Sequence, residues 1–103
     1  MLRVRFRPEA RAEIREARGW YESRVAGLGR AIIAEVDTTI SVLRLHPQLY
    51  ATVSADERVR RALLHRFRYS LVYEILAAHA IVRLACRHVR QDEVKWKLAR
   101  RDA

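Results

Sequence analysis

Cysteine, proline and glycine are all scarce here: 103 residues contain one Cys, two Pro and three Gly. With Cys86 alone, neither an intrachain disulfide nor a cysteine-based zinc ribbon can form. So few Pro and Gly, beside a hydrophobic content of 50%, argue against a collagen-like repeat, a low-complexity linker and a disordered chain. Long apolar runs are missing too. The greasiest stretch, Tyr69 to Leu84, is broken by Glu74, His79 and Arg83, short of the roughly 18 uninterrupted apolar residues of a membrane span. Residues Leu2 to Phe6 alternate apolar with charged, where a secretory signal needs a continuous apolar core. A cytoplasmic location without a membrane partner is therefore expected, and a lone thiol suits that reducing compartment.

Acidic residues are the other shortage. Lys plus Arg number 21 against 12 Asp plus Glu, a formal net charge of +9, and Lys95 and Lys97 are the only lysines. Residues 1–51 hold nine basic and six acidic side chains, residues 52–103 twelve and six, so the excess sits mainly in the second half. A coding bias toward Arg that merely solvates the surface would account for this. So would an acidic partner such as nucleic acid, the ribosome, a nucleic-acid enzyme or an acidic protein, drawn in by steering and counterion release. The length suits a single core, so residues 1–103 read as one domain.

Leu2, Val4 and Phe6 alternate with Arg3, Arg5 and Arg7, the period of a strand with one buried face. Pro8, followed by Glu9, Glu13 and Glu16, starts a helix that runs to about Arg24, with Ala10, Ile14, Ala17 and Tyr21 as its apolar stripe. Val25 to Gly29 reads as a tight connection. A second helix is predicted from about Arg30 to Leu45, with Ile33, Val36, Ile40 and Leu43 as its main stripe and Leu28, Ile32, Thr39 and Val42 as a second, partly apolar face. His46 and Pro47 stop it, and Pro47 to Glu57 is a polar connection without clear period. Val59 to Phe67, Tyr69 to Leu76 and Ala80 to His88 then read as a three-stranded meander, followed by a short basic helix carrying Val94, Trp96 and Leu98. The predicted fold is α+β, in the order β-α-α-β-β-β plus a short C-terminal helix. Its two-helix hairpin packs on one face of a mainly antiparallel, about four-stranded sheet. The other face is expected to be open and to bear Arg61, Arg83 and Arg87.

Arginines on rigid strands suit phosphate or carboxylate recognition, because the planar guanidinium fork binds two oxygens at once; strand arginines also guard sheets against aggregation. For RNA cleavage by 2′-hydroxyl attack, Tyr73, Arg83, Arg87, His88 and Arg90 are the available acid, base and cation types. His88, however, shares a strand face with Val82, Leu84 and Cys86, where a structural role is the alternative. Trp20 and Trp96 could stack on bases or simply pack. Cys86 and His88 are two apart, but His46, His65 and His79 lie in different elements. No metal site and no cofactor are therefore expected.

Taken together, these elements resemble the toxins of the ParE and RelE superfamily of bacterial type II toxin–antitoxin systems. The resemblance covers nearly the whole chain. It is carried by Trp20-Tyr21-Glu22, Gly27-Leu28-Gly29, Pro47 with Tyr50, the segment Arg66 to Tyr73, and His88-Val89-Arg90 followed by Trp96. Arg68 stands where the family usually has proline, and Gln91 where it usually has a second arginine. RelE-like members tend to carry a basic residue where this chain has Ser70, and lysines in the preceding strand, which has none here. The likeness is nearer to ParE.

ParE-like membership implies a plasmid-stabilisation type of toxin that binds DNA gyrase, stabilises its cleaved-DNA complex without covalent chemistry of its own, and is neutralised by a ParD-like antitoxin. Arg61, Arg83, Arg87, Arg90 and Trp96 are the expected target-binding residues. Trp20, Leu28, Ile32, Thr39 and Val42 are the expected antitoxin groove; each could equally complete the core. Two alternatives stay open: a RelE-like, ribosome-dependent mRNA endoribonuclease, and a non-toxic member that only binds its antitoxin.

Overall fold

Alternation at the start of the chain and a proline at the first helical position produce the first two elements, β1 (Arg3–Phe6) and α1 (Pro8–Arg24). The computed structural model describes residues 2–53, 55, 58–76 and 79–86. After α1 come α2 (Leu28–Leu45), β2 (Ala51–Thr52), β3 (Val59–Leu63), β4 (Tyr69–Leu76) and β5 (His79–Cys86). The strands form one sheet in the order β1-β5-β4-β3-β2, with β1 parallel to β5 and every other neighbour antiparallel. This is the expected α+β arrangement of a helical hairpin on a sheet. Among the described residues the sheet has five strands rather than about four, because Ala51 and Thr52 pair with Arg61 and Arg60. Two exposed residues carry too little pattern to be read as a strand. Among the described residues, no helix is long and apolar enough to cross a membrane.

The core lies between the hairpin and the sheet. Ala17 of α1 and Ile32, Val36 and Leu43 of α2 meet Ala62, Leu64, Phe67, Leu71 and Tyr73 from β3, β4 and the turn between them. The buried stripe of α2 is therefore Ile32, Val36, Thr39 and Leu43, while Ile33 and Ile40 are only half-buried. A helix held between a second helix and a sheet has two contacting sides, so apolar spacing alone does not locate the centre of its buried arc. Thr39 enters this stripe because its hydroxyl donates to the Glu35 carbonyl at 2.8 Å, leaving no unmet polar group.

Gly27, with φ 93°, turns the chain between the helices in a left-handed conformation that other residues rarely adopt. The Glu22 carboxylate closes this connection by accepting from the Gly27 amide at 3.1 Å and the Gly29 amide at 2.9 Å. Those two amides, with Arg18 and Arg30 assisting, hold the Glu22 carboxyl below the ordinary carboxylate range.

β3 ends at Leu63, four residues before the expected Phe67, because Leu64 to Arg68 form a turn closed by the Leu64 amide donating to the Tyr69 carbonyl at 3.0 Å. The expected terminal helix with Val94, Trp96 and Leu98 lies outside the described residues, as do the last two positions of the expected Ala80–His88 strand.

Candidate functional site

Register decides which arginines share a surface. Arg61 pairs with Val72, and Val72 pairs with Arg83, so positions 61, 72 and 83 form one row across β3, β4 and β5. Neighbouring strands lie roughly 4.8 Å apart, which sets the ends of this row about 10 Å from one another. Leu71 and Tyr73, on either side of Val72, belong to the core cluster. Alternation therefore turns the row to the face away from the helices. Arg3 and Arg5 join this face, because β1 pairs Arg3 with His79 and Arg5 with Ile81, positions of the same parity as 83. Both are exposed, whereas Arg61 is half-buried. Their contribution was missed in the sequence because the parallel pairing of the first strand with the last is a tertiary fact.

The face was expected to be open, and it is not open throughout. Val59 and Ser70 are wholly buried and Val72 nearly so, although alternation puts all three on this side. The exposed Arg3 and Arg5 and the half-buried Arg61 therefore share this face with buried residues. Of the other expected target-binding residues, Arg87, Arg90 and Trp96 lie outside the described residues, and so does His88.

Tyr73 is removed from the acid–base candidates. It is wholly buried, its hydroxyl donates to the Pro47 carbonyl at 2.7 Å, and its ring meets Tyr50 edge-on with centroids 6.4 Å apart. Burial pushes its phenol up to about 12, Arg60 pulling the other way and Tyr50 adding to the rise. A phenol that keeps its proton inside the core cannot act on a substrate outside it. Its role is to fasten the chain after α2 to the sheet. Arg60 does the same from β3, donating from Nη1 to the carbonyls of Gln48 at 3.0 Å and Tyr50 at 2.7 Å.

The expected antitoxin groove also divides. Ile32 and Thr39 are 1% and 8% exposed and belong to the core, because α2 turns that side to the sheet. Leu28 and Val42 are half-buried. Trp20 is open at 51%.

Trp20 lies beside a second constellation, built around the β3–β4 turn. The Tyr21 ring meets Trp20 edge-on at 4.9 Å and Phe67 edge-on at 4.8 Å. Its hydroxyl accepts from the Arg68 amide at 3.3 Å. From α2, the Glu35 carboxylate accepts from the His65 amide through one oxygen and from the Arg66 amide, at 3.4 Å, through the other. Both helices thus hold the turn by its backbone, leaving the His65, Arg66 and Arg68 residues exposed. This tie was not legible in the sequence, since Glu35 and His65 are thirty residues apart.

Trp20-Tyr21-Glu22, the two loop glycines, Pro47, Tyr50 and the Phe67–Tyr73 segment supply the contacts that join hairpin, turn and sheet. Those residues carried the resemblance, and comparison with known proteins agrees. The family model for the ParE toxin of the type II toxin–antitoxin system parDE matches residues 4–93. A solved structure of the chromosomal ParDE toxin–antitoxin system from P. aeruginosa has the same fold. It matches with a TM-score of 0.70 and 15% sequence identity, covering 84% of this chain and 96% of that chain. No curated protein sequence matches. With the family pattern matched from β1 to beyond β5, the chain belongs to the ParE toxins of type II toxin–antitoxin systems.

Proposed function

We propose that this toxin, a single domain of residues 1–103 working in the cytoplasm, inhibits DNA gyrase by binding and stabilising its cleaved-DNA complex, and that a cognate ParD-like antitoxin neutralises it. The family match over residues 4–93 carries this reading. The row of Arg61 and Arg83, with Arg3 and Arg5 on the same sheet face, supports it by offering cations in fixed register to an acidic or phosphate-bearing surface. Arg87, Arg90 and Trp96 extend the proposed target-binding set. A binding poison needs no acid–base pair, and the burial of Tyr73 takes one partner from a nuclease mechanism.

The test is to express the chain without a partner from a tightly controlled promoter and follow two readouts in the same cells. Gyrase-dependent DNA breaks with an SOS response and intact mRNA are expected. Cut mRNA at ribosomes with intact DNA would refute gyrase as the target. Neither effect, with soluble folded protein present, would leave a member that only binds its antitoxin.

A further inference from the structure

Charge on the sheet face away from the helices is one-sided. Alternation puts Arg3, Arg5 and Arg61 on it, register adds the position of Arg83, and Glu74 is the one acid there among the described residues. Strands β1, β5, β4 and β3 are successive neighbours, so at roughly 4.8 Å per step the arginines of β1 stand about 14 Å across the sheet from the strand of Arg61. Along β1, Arg3 and Arg5 are about 7 Å apart at roughly 3.3 Å per residue. The sheet thus fixes four arginine positions over a span comparable with the major groove of duplex DNA, about 12 Å wide with a phosphate strand on either bank.

What this face lacks says which acidic partner fits it. A protein partner is held chiefly by apolar and aromatic anchors seated near the middle of the contact. Here Val59 and Val72 are buried, and Leu63, at the end of β3, is the one exposed large apolar residue on this side among the described residues. Single-stranded nucleic acid is held by stacking its bases on aromatic rings. Among the described residues no Phe, Tyr or Trp of the strands is on this face, since Phe6, Tyr69 and Tyr73 are on the side of the core. A duplex keeps its bases stacked inside and presents phosphates, which guanidiniums in fixed register meet without anchors or rings.

We propose that the sheet face of Arg3, Arg5, Arg61 and Arg83 grips the phosphate backbone of duplex DNA directly, and does so without gyrase being present. This rests on the gyrase reading and sharpens it: the arginines hold the DNA of the cleaved complex rather than the surface of the enzyme. Contacts of this kind carry no sequence information, so the choice of where DNA is trapped is left to gyrase.

The test titrates the full chain into a labelled duplex of mixed sequence and reads fluorescence anisotropy from about 50 to 200 mM salt. Each phosphate neutralised steepens the fall of log affinity with log salt by about 0.9, so four arginines give a slope of about −3.6. Arg3→Gln with Arg5→Gln, and Arg61→Gln with Arg83→Gln, should each make the slope shallower by about 1.8. Arg15→Gln with Arg30→Gln removes the same charge from exposed positions on the two helices and should leave the slope unchanged. Equal losses in all three pairs would mean that net charge alone draws the DNA, and would overturn the proposal. So would failure to bind the duplex, or tighter binding of a single-stranded oligonucleotide that the same variants lose. Arg3 and Arg5 are exposed, so their pair should melt within a few degrees of the wild type and decides the matter if the half-buried Arg61 proves necessary for folding. Gyrase-dependent breaks, measured with the same proteins, judge the target separately. Breaks retained by face variants that have lost the duplex overturn the proposal and leave the gyrase reading standing, whereas a chain that holds the duplex through this face and causes no breaks refutes the gyrase reading alone.

Discussion

The two alanine substitutions Gly19→Ala and Gly29→Ala are expected to move stability in opposite directions. Both glycines are helical, Gly19 inside α1 and Gly29 at the second residue of α2. In a helix interior, Gly is worse than Ala by roughly 0.5–1 kcal/mol through backbone entropy alone. A Cβ at Gly19 meets nothing within 4 Å, so that gain should appear in full. A Cβ at Gly29 would stand 2.9 Å from the Arg18 carbonyl oxygen, 2.9 Å from Glu22 Oε1 and 3.1 Å from Arg18 Cγ. The Arg18 oxygen is backbone and cannot swing aside, so α1 and α2 must separate. Glu22 can move only by giving up its bonds to the loop amides. Overpacking of this kind costs about 1–3 kcal/mol. Set against a propensity gain of about 0.5–1 kcal/mol, it leaves a net loss of up to about 2 kcal/mol. At about 4–8 °C per kcal/mol for a domain near this size, Gly29→Ala should melt up to about 15 °C lower and Gly19→Ala about 2–8 °C higher. Thermal unfolding followed by circular dichroism decides it. A rise in Tm for both variants would refute the close approach of the helices at Gly29.

Tyr73→Phe strands the Pro47 carbonyl and should cost about 1–2 kcal/mol in denaturant unfolding while leaving toxicity intact; loss of toxicity at wild-type stability would restore Tyr73 as a candidate catalyst. Because the Tyr73 phenol is raised in the fold to about 12 from an ordinary 10, its contribution is complete below pH 10 and lost as pH climbs through 12. Alkaline unfolding should show that loss in the wild type and not in Tyr73→Phe. The Glu22 carboxyl is shifted the other way, so its contribution is present above the ordinary carboxylate value of 4.5 and lost as pH falls through its lowered folded value. Glu22→Gln should accordingly flatten the acid limb of a Tm-against-pH curve. Arg61→Ala with Arg83→Ala should relieve growth arrest while sparing antitoxin binding, read by co-purification; loss of both in a folded double variant would show that the two surfaces are one.

Local pattern made α1 legible to its ends, because Pro8, the early acids and the Ala10, Ile14, Ala17, Tyr21 spacing all agree. The same held for β4, whose Tyr69–Leu76 run is covered on most of its length. α2 was legible as a helix but not in its rotation: its exposed and buried sides depend on where α1 and the sheet meet it, and nothing in a run of Ile, Ala, Val and Thr supplies that. Five strands rather than four, with a two-residue edge, came from pairing with β3 that no local signal announces.

By itself, the sequence determined a basic α+β chain, the order of its elements, and enough joint motif to resemble the ParE toxins. Tertiary structure alone decided which arginines stand in one row, that Tyr73 and Ile32 face inward, and that Glu35 and Tyr21 grip a turn thirty or more residues away. The physical reason is range. Helix and strand periods are set by neighbours within a few residues, whereas a shared surface is set by strand register and by which faces are left when the core closes.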